Sequence, residues 1–412
     1  MEFQPDEKSF RSYLLLWSGQ LTSLLGSSAA QFVIIWWITI ETQSSLYLAL
    51  ASFSGLVPIV LLSPFAGVFV DRWSRKMLIG IVDFLQALAT MVLIFLFWLG
   101  NVAIWHVFLI LILRGIFQAF HSPAASAIIP LMVPKSKLSR MNGLNYLLSG
   151  AVTLTGPVIA AVLLSFWQVY DILWIDVLTF MVAIVPLLIV KIPSIRMQGD
   201  DSSFKEDFRE GLTFIKNARG LLPLLLVATA LNFLLTPLST LLPYYVKFDH
   251  FGEVTDLAFV LALFEGGMLA GGLFMSVTKG FRRKAVAISM SIYFLFFGYA
   301  LIALSPTGMF WFMALSGLFA AFWAPIANVT IQTIFQTVVP MKMQGRVSSV
   351  TMAMAIAAQP IGMILSGVIV EFTRTSYLFL ACAGLGMLTL TVAWFFTDMR
   401  HVEKIEETSN NP

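Results

Sequence analysis

Twelve times along this chain the residues run for about twenty positions with almost no charge. Wound as an α-helix rising about 1.5 Å per residue, such a run crosses the ~30 Å hydrocarbon core of a bilayer. The runs lie at 13–40, 46–70, 77–99, 103–129, 139–165, 168–190, 221–246, 256–278, 285–304, 308–334, 347–370 and 376–397. Composition agrees, with 58% hydrophobic and only 11% charged residues, against about 25% charged in soluble domains. A chain this apolar cannot cover itself with polar surface in water, so the expected fold class is an all-α integral membrane protein with twelve transmembrane helices. The first run is too long for a cleaved signal peptide, and Glu2, Asp6 and Glu7 mix with the basic residues before it.

The few charges are distributed unevenly. Of the 25 Lys and Arg, 22 fall before the first run, after the last, or in the even-numbered connections. The other side holds only Lys247 and Arg374, while Arg114 lies inside the fourth run. Basic loops stay on the cytoplasmic side of a membrane, so both termini are expected there, in a multi-pass protein of the cell membrane. The one long polar connection, 191–220, divides six runs from six. Within it Phe204, Phe208, Leu212 and Ile215 recur at helical spacing, which predicts an amphipathic helix on the cytoplasmic membrane face. A flexible tether is the alternative. The expected organisation is therefore 1–190, a six-helix bundle; 191–220, the linker; and 221–412, a second six-helix bundle.

The halves are copies. "RGIFQAFHSPAA" (114–125) overlies "SGLFAAFWAPIA" (316–327), matching Gly115 with Gly317, Phe120 with Phe322 and Pro123 with Pro325. Farther on, Pro134 matches Pro340, Arg140 matches Arg346 and Gly156 matches Gly362; earlier, Gly67 matches Gly272. Each copy has six runs in the same membrane orientation. The loop after the second run reads "GVFVDRWSRK" (67–76), and the fifth run contains "LTGPVIAA" (154–161).

With these motifs the whole chain resembles the major facilitator superfamily, most closely its macrolide-efflux branch among prokaryotic drug:proton antiporters. The resemblance implies two six-helix bundles, alternating access about a midplane cavity, and a gating role for Gly67, Asp71, Arg72, Arg75 and Lys76. Arg72, Arg75 and Lys76 would equally serve membrane topology alone; Asp71 is what topology leaves unexplained, because acids contribute little to it. An acid there suits the N-terminal end of another helix, and the resemblance implies the eleventh segment, at "GRVSSVT" (345–351). Gly156 and Pro157 match the family's fifth-segment motif, with Ala160 and Ala161 where paired glycines are usual. Arg114 with Gln118 one turn on resembles the conserved fourth-segment Arg of proton-driven members.

Ionisable groups inside a span are costly, about 2.5–3.5 kcal/mol or more at mid-depth, and point to function. Arg114 is roughly 15 Å deep and needs a partner. Glu265, the deepest acid, Asp176 toward the external side, and Asp83 nearer the cytoplasmic side are the candidates for that partner and for proton coupling. For Asp83 the loop bases offer a counter-charge, and a gating or structural role fits it. His121 is expected to be a hydrogen-bonded histidine and not a proton carrier. Gln20, Ser23, Ser27 and Gln31 share one face of the first run and would line a water-filled cavity, or pack closely through Gly19 and Gly26. Asn232, Thr236, Thr240, Asn328 and Gln332 repeat the theme. Trp36, Phe117, Phe264, Tyr293 and Trp323 would supply an aromatic wall, or simply fill the core.

A single cysteine, Cys382, permits no intrachain disulfide, and with four scattered histidines it makes clustered metal or enzyme chemistry a poor fit. No GxxxxGK[ST] loop is present, so direct ATP use is not expected. The expected function is proton-driven export of a hydrophobic or amphipathic compound, with no cofactor. The expected partners are that substrate, protons and membrane lipid, with no nucleic acid, and the protein is expected to be a monomer. A lysophospholipid carrier of the same fold, or an uptake carrier, is the alternative.

Overall fold

A computed structural model of the chain describes residues 5–193, 204–218, 220–278, 280–340 and 343–397, with side chains at 64, 67–72, 139, 146, 204–207, 336 and 345 outside the description. Among the described residues all regular structure is helical: α1 (Glu7–Thr42), α2 (Ser45–Arg72), α3 (Arg75–Trp98), α4 (Ile104–Met132), α5 (Leu138–Leu164), α6 (Val169–Ile189), α7 (Phe204–Asn217), α8 (Leu221–Tyr244), α9 (Val254–Val277), α10 (Lys284–Ala303), α11 (Phe310–Val338), α12 (Gln344–Ala357), α13 (Gln359–Phe372) and α14 (Thr375–Phe396). Twelve spans in this set are long and apolar enough to cross a membrane. The eleventh expected segment is interrupted. Pro360 stands at the start of α13, where a missing N–H is tolerated, so the span forms as α12 followed by α13. Helix α1 starts six residues before its apolar run because Asp6 caps it, accepting from the Ser9 N–H at 2.7 Å.

The chain divides into two compact units: Met1–Gln43 with Leu50–Gly199, and Ser44–Ala49 with Asp200–Pro412. In the first, two apolar layers enclose a polar one. One layer, at the Lys/Arg-rich end, gathers Tyr13, Leu16, Ile79, Val82, Ile128 and Leu187. The other gathers Ile34, Ile38, Leu93, Ile110, Leu111 and Leu173. Each helix thus contributes apolar residues near both ends and polar ones between: Gln20 to Ser27 on α1, Asp83 to Thr90 on α3, Arg114 to His121 on α4. Small residues set the spacing. A side chain at Gly26 would collide with Thr179 on α6, and one at Gly156 with Ser28 on α1. Lys76 donates to the Leu188 and Val190 carbonyls, both at 2.8 Å, and so satisfies the end of α6.

In the second unit the duplicated Gly362 does for α13 what Gly156 does for α5, meeting Phe233 and Thr236 of α8. Gly267 and Gly271 let α9 approach the Leu318 and Phe322 carbonyls of α11. Tyr245, Tyr299 and Phe379 form a fully buried aromatic knot. The linker helix α7 forms as its spacing predicts, but its apolar face packs on protein. Ile215, Phe208 and Leu212 join Leu221, Leu225, Val347 and Val350 in one cluster. Gly211 lies against the Arg346 backbone, and Arg346 pairs with Glu210. The face is buried because the α8 and α12 ends expose matching Leu and Val; a membrane surface is not needed to cover it. The side chain of Phe204 lies outside the described residues.

Residues 44–49, the first turn and a half of α2, group with the second unit because α13 grips them. Glu371 Oε1 accepts from Ser44 Oγ (2.6 Å), Ser45 Oγ (3.2 Å) and the Leu46 N–H (3.2 Å). Ser45 Oγ also donates to the Gly367 carbonyl at 2.8 Å. A carboxylate here answers the unpaired N–H groups that every helix N-terminus exposes.

Candidate functional site

The polar layer of the first unit holds two linked clusters of charge. In the first, Arg114 of α4 points from a helix that otherwise reads Ile-Leu-Ile-Leu, and is only 8% exposed. Its Nη1 donates to Asp176 Oδ2 of α6 at 2.6 Å and lies 2.6 Å from Thr90 Oγ1 of α3. Thr90 donates to Asp176 Oδ2, and Ser27 of α1 donates to Asp176 Oδ1, both at 2.7 Å. The Ser27 bond exists because Gly26 brings α1 onto α6. Asp176, 4% exposed, therefore has both oxygens occupied, and its charge is balanced by a guanidinium that cannot be deprotonated. Of the three acids weighed as the partner of Arg114, Asp176 holds it.

The second cluster lies toward the Lys/Arg-rich end. Asp83 of α3 accepts from Gln20 Nε2 of α1 at 3.1 Å through Oδ2. His121 Nε2 of α4 is 3.1 Å from Asp83 Oδ1 and 3.1 Å from Gln20 Oε1. Asp83 faces inward to a glutamine and a histidine, while Lys76 among the loop bases is committed to the α6 carbonyls. His121 is hydrogen-bonded as expected, but to a carboxylate.

A cavity of about 270 Å³ opens beside the second cluster and reaches the first at Ser27. Gln20, Ser23, Ser27, Asp83, Gln86, Gln118 and His121 line it, with Trp17 and Tyr13 as aromatic surface. Trp17 Nε1 is fixed by Asn145 Oδ1 of α5 at 2.9 Å. Both readings of the α1 stripe hold at adjacent positions: Gly19 and Gly26 pack on α6, and the neighbouring Gln20 and Ser27 face the cavity.

Other candidates are placed elsewhere. Gln31 and Asn328 are exposed and do not line this cavity. Phe117 packs on the apolar layer with Ile128 and Met132, filling core and not forming a wall. Thr236 is buried and donates to the Asn232 carbonyl at 2.9 Å, with its Cβ against Gly362, so it serves helix packing. Tyr293 bonds Thr391 through its hydroxyl. Trp323 stacks on Phe294 at 4.6 Å. Glu265 sits half-buried on α9 in the second unit, and among the described residues no hydrogen bond or ion pair is recorded for it. The side chains of Gly67, Asp71 and Arg72 lie outside the described residues, as does that of Gly345. Arg75 is buried at the start of α3. Gly156 packs on Ser28 of α1, and Pro157 lies within α5. Among the described residues no group of three or more His, Cys, Asp or Glu is arranged to hold a metal ion.

Sequence and fold comparisons place this architecture. The family model for the transmembrane secretion effectors matches residues 6–412. Macrolide efflux protein A of Streptococcus pyogenes is 31% identical over 401 residues, covering 96% of this chain and 97% of that protein. The multidrug efflux pump Tap of Mycolicibacterium fortuitum is 24% identical over 405 residues, covering 95% and 97%. A crystal structure of a mutant nucleoside transporter NupG superposes with a TM-score of 0.76 over 93% of this chain and 99% of that one, at 13% identity. The relatives are transporters, not enzymes, and the chain is a multi-pass secondary transporter. It belongs to the transmembrane secretion effector family of the major facilitator superfamily, in the branch that holds the macrolide efflux proteins.

Proposed function

We propose that the protein exports hydrophobic or amphipathic drugs, macrolides among them, from the cell in exchange for protons, by alternating access in the cell membrane with both termini cytoplasmic. The observation that carries this reading is the polar layer of the first unit. A membrane bundle gains nothing in stability from enclosing an Arg, two Asp and a His beside a cavity, since each such group is costly there. Ionisable groups inside a span mark ion, proton or substrate pathways by default. The names of the macrolide and multidrug efflux relatives support the cargo class, and the concentration of Lys and Arg at one end supports the orientation.

Within the layer the two clusters divide the work. Asp176, locked to Arg114, Thr90 and Ser27, positions α1, α3, α4 and α6; protonating it would leave a guanidinium unpaired in the bundle. Asp83 meets the neutral Gln20 amide and the His121 imidazole and is not held by Arg114, and it is the group to which proton exchange is assigned. Glu265 is the second reading for the proton carrier, favoured by the lack of a recorded partner. The test is accumulation of a labelled macrolide by proteoliposomes under an imposed pH gradient. Asp83→Asn should abolish accumulation while downhill exchange persists. If Asp83→Asn accumulates normally and Glu265→Gln does not, the carrier is Glu265.

A further inference from the structure

At the end of the first unit away from the Lys/Arg-rich loops, a groove of about 660 Å³ lies between α3 and α6. Val92, Phe95 and Trp98 line it from α3, and Tyr170, Asp171 and Trp174 from α6. Its surface is thus aromatic and aliphatic around a single carboxylate. The lining contains no Lys or Arg, and none occurs in the connections 43–44, 99–103 and 165–168 that join the helices at this end. The other acid nearby in sequence position, Glu41 at the end of α1, is exposed. This end of the unit is therefore acidic.

The carboxylate is only half used. Asp171 Oδ2 accepts from the Gln168 N–H at 3.1 Å and closes the first turn of α6. Among the described residues no hydrogen bond or ion pair is recorded for Oδ1, which keeps its lone pairs available. The groove also opens at the head of two apolar stripes. Ile81, Phe84, Leu88, Val92 and Phe95 recur at three- and four-residue steps along α3, and all are exposed. Trp174, Leu178, Met181, Val185 and Leu188 do the same along α6. Faces this long and apolar are covered by hydrocarbon in a bilayer. An occupant with its head at Asp171 would have its apolar part lying along α3 and α6 among the acyl chains. That is the shape of a membrane lipid.

We propose that the groove is a binding site for a phospholipid with a primary ammonium head, phosphatidylethanolamine, whose ammonium donates to Asp171 Oδ1 and whose acyl chain follows the α3 and α6 stripes. The chemistry selects the head. A cation gains from the carboxylate and from the faces of Trp and Tyr. Phosphatidylglycerol would instead bring a net negative charge to an acid with no base in the lining. A choline head carries the positive charge but no N–H to donate to Oδ1. The Tyr170 hydroxyl and the Trp98 and Trp174 indole N–H groups are donors suited to the lipid phosphate. An aromatic belt would by itself account for these three rings at the membrane interface, but it would not distinguish one head from another; Asp171 does. With both termini cytoplasmic, the bound lipid belongs to the outer leaflet. The site itself depends on neither export nor proton coupling.

The test uses purified full-length protein in detergent and a phosphatidylethanolamine carrying a photoactivatable group on its acyl chain. After illumination, cross-linked peptides are mapped and unlabelled lipids are added as competitors. The expected labels fall on α3 and α6 between the groove and the middle of the two stripes. Unlabelled phosphatidylethanolamine should suppress them at about tenfold lower concentration than phosphatidylglycerol or phosphatidylcholine, the scale of one charge-assisted hydrogen bond. Asp171→Asn keeps an oxygen for the Gln168 N–H and loses the charge, so in this variant the three lipids should compete equally. Equal competition in the wild type overturns the proposal and leaves an unselective aromatic belt. A preference unchanged in Asp171→Asn overturns it too, as do labels confined to other helices. Suppression by a macrolide in place of lipid would make the groove a cargo site and refute the lipid assignment. Should Asp171→Asn misfold, the wild-type competition series decides alone.

Discussion

Removing either member of the Arg114–Asp176 pair should cost far more stability than the pair itself provides. The pair is more than nine-tenths buried, and stranding one buried charge typically costs about 3–5 kcal/mol. Asp176→Asn keeps one of the two oxygens that accept from Ser27 and Thr90, so it loses the charge and one hydroxyl's acceptor. Asp176→Leu also removes the acceptor at Oδ1 and Oδ2, stranding two hydroxyls at about 1–3 kcal/mol each. The order expected in a thermal melt in detergent is wild type, then Asp176→Asn, then Asp176→Leu. At roughly 2–4 °C per kcal/mol for a unit of this size, the first step is on the order of 10 °C. Arg114→Met combined with Asp176→Leu should recover most of the charge term, because no charge is then left unpaired. A double variant no more stable than Asp176→Leu alone would refute the reasoning, since it would mean that Arg114 is satisfied by something other than Asp176.

Gly115→Val would drive a side chain into the Gly55 carbonyl of α2; overpacking of this kind costs about 1–3 kcal/mol, readable as a lower melting temperature, whereas the same change at Gly143, with open space around it, should be nearly silent. Glu371→Ala should speed hydrogen exchange at residues 44–49, whose helix start it holds, and leave exchange in α4 unchanged. His250, between the α8 and α9 spans, has its pKa lowered by burial, partly offset by a hydrogen bond to the Pro306 carbonyl. The unfolded chain therefore takes up that proton first, so this contribution to stability is complete above the ordinary value of 6.5 and declines as the pH falls through 6.5 toward the depressed folded value. Melting temperatures measured across that window should fall less steeply in His250→Gln.

The bilayer made most of the architecture legible. A fixed thickness forces a fixed length of apolar helix, so the twelve spans could be counted in the sequence, and the internal duplication fixed the division into six and six. What was not legible is which helices touch. Arg114 had three acids to choose from, and the choice was made by Gly26, whose missing side chain lets α1 approach α6 and deliver Ser27 to Asp176. The second cluster left a signal that went unread: Gln20, Asp83 and His121 each stand about two turns in from the same end of an apolar run, which puts them at one depth. The linker helix showed its amphipathic face clearly, yet a single helix does not disclose whether lipid or protein covers that face. Here the valines of α12 do. Phe117 and Thr236 show a related ambiguity, since a residue on a polar or aromatic stripe can as well pack against a neighbour as face water.

The most direct test of the account is transport driven by a proton gradient alone. Proteoliposomes holding the wild-type protein, given a labelled macrolide and a pH jump that acidifies the lumen, should accumulate the label against its gradient. The accumulation should collapse when a proton ionophore is added, and Asp83→Asn vesicles should equilibrate the label without concentrating it. Accumulation that ignores the pH jump and the ionophore, or that follows a sodium gradient instead, would contradict proton exchange through the polar layer of the first unit.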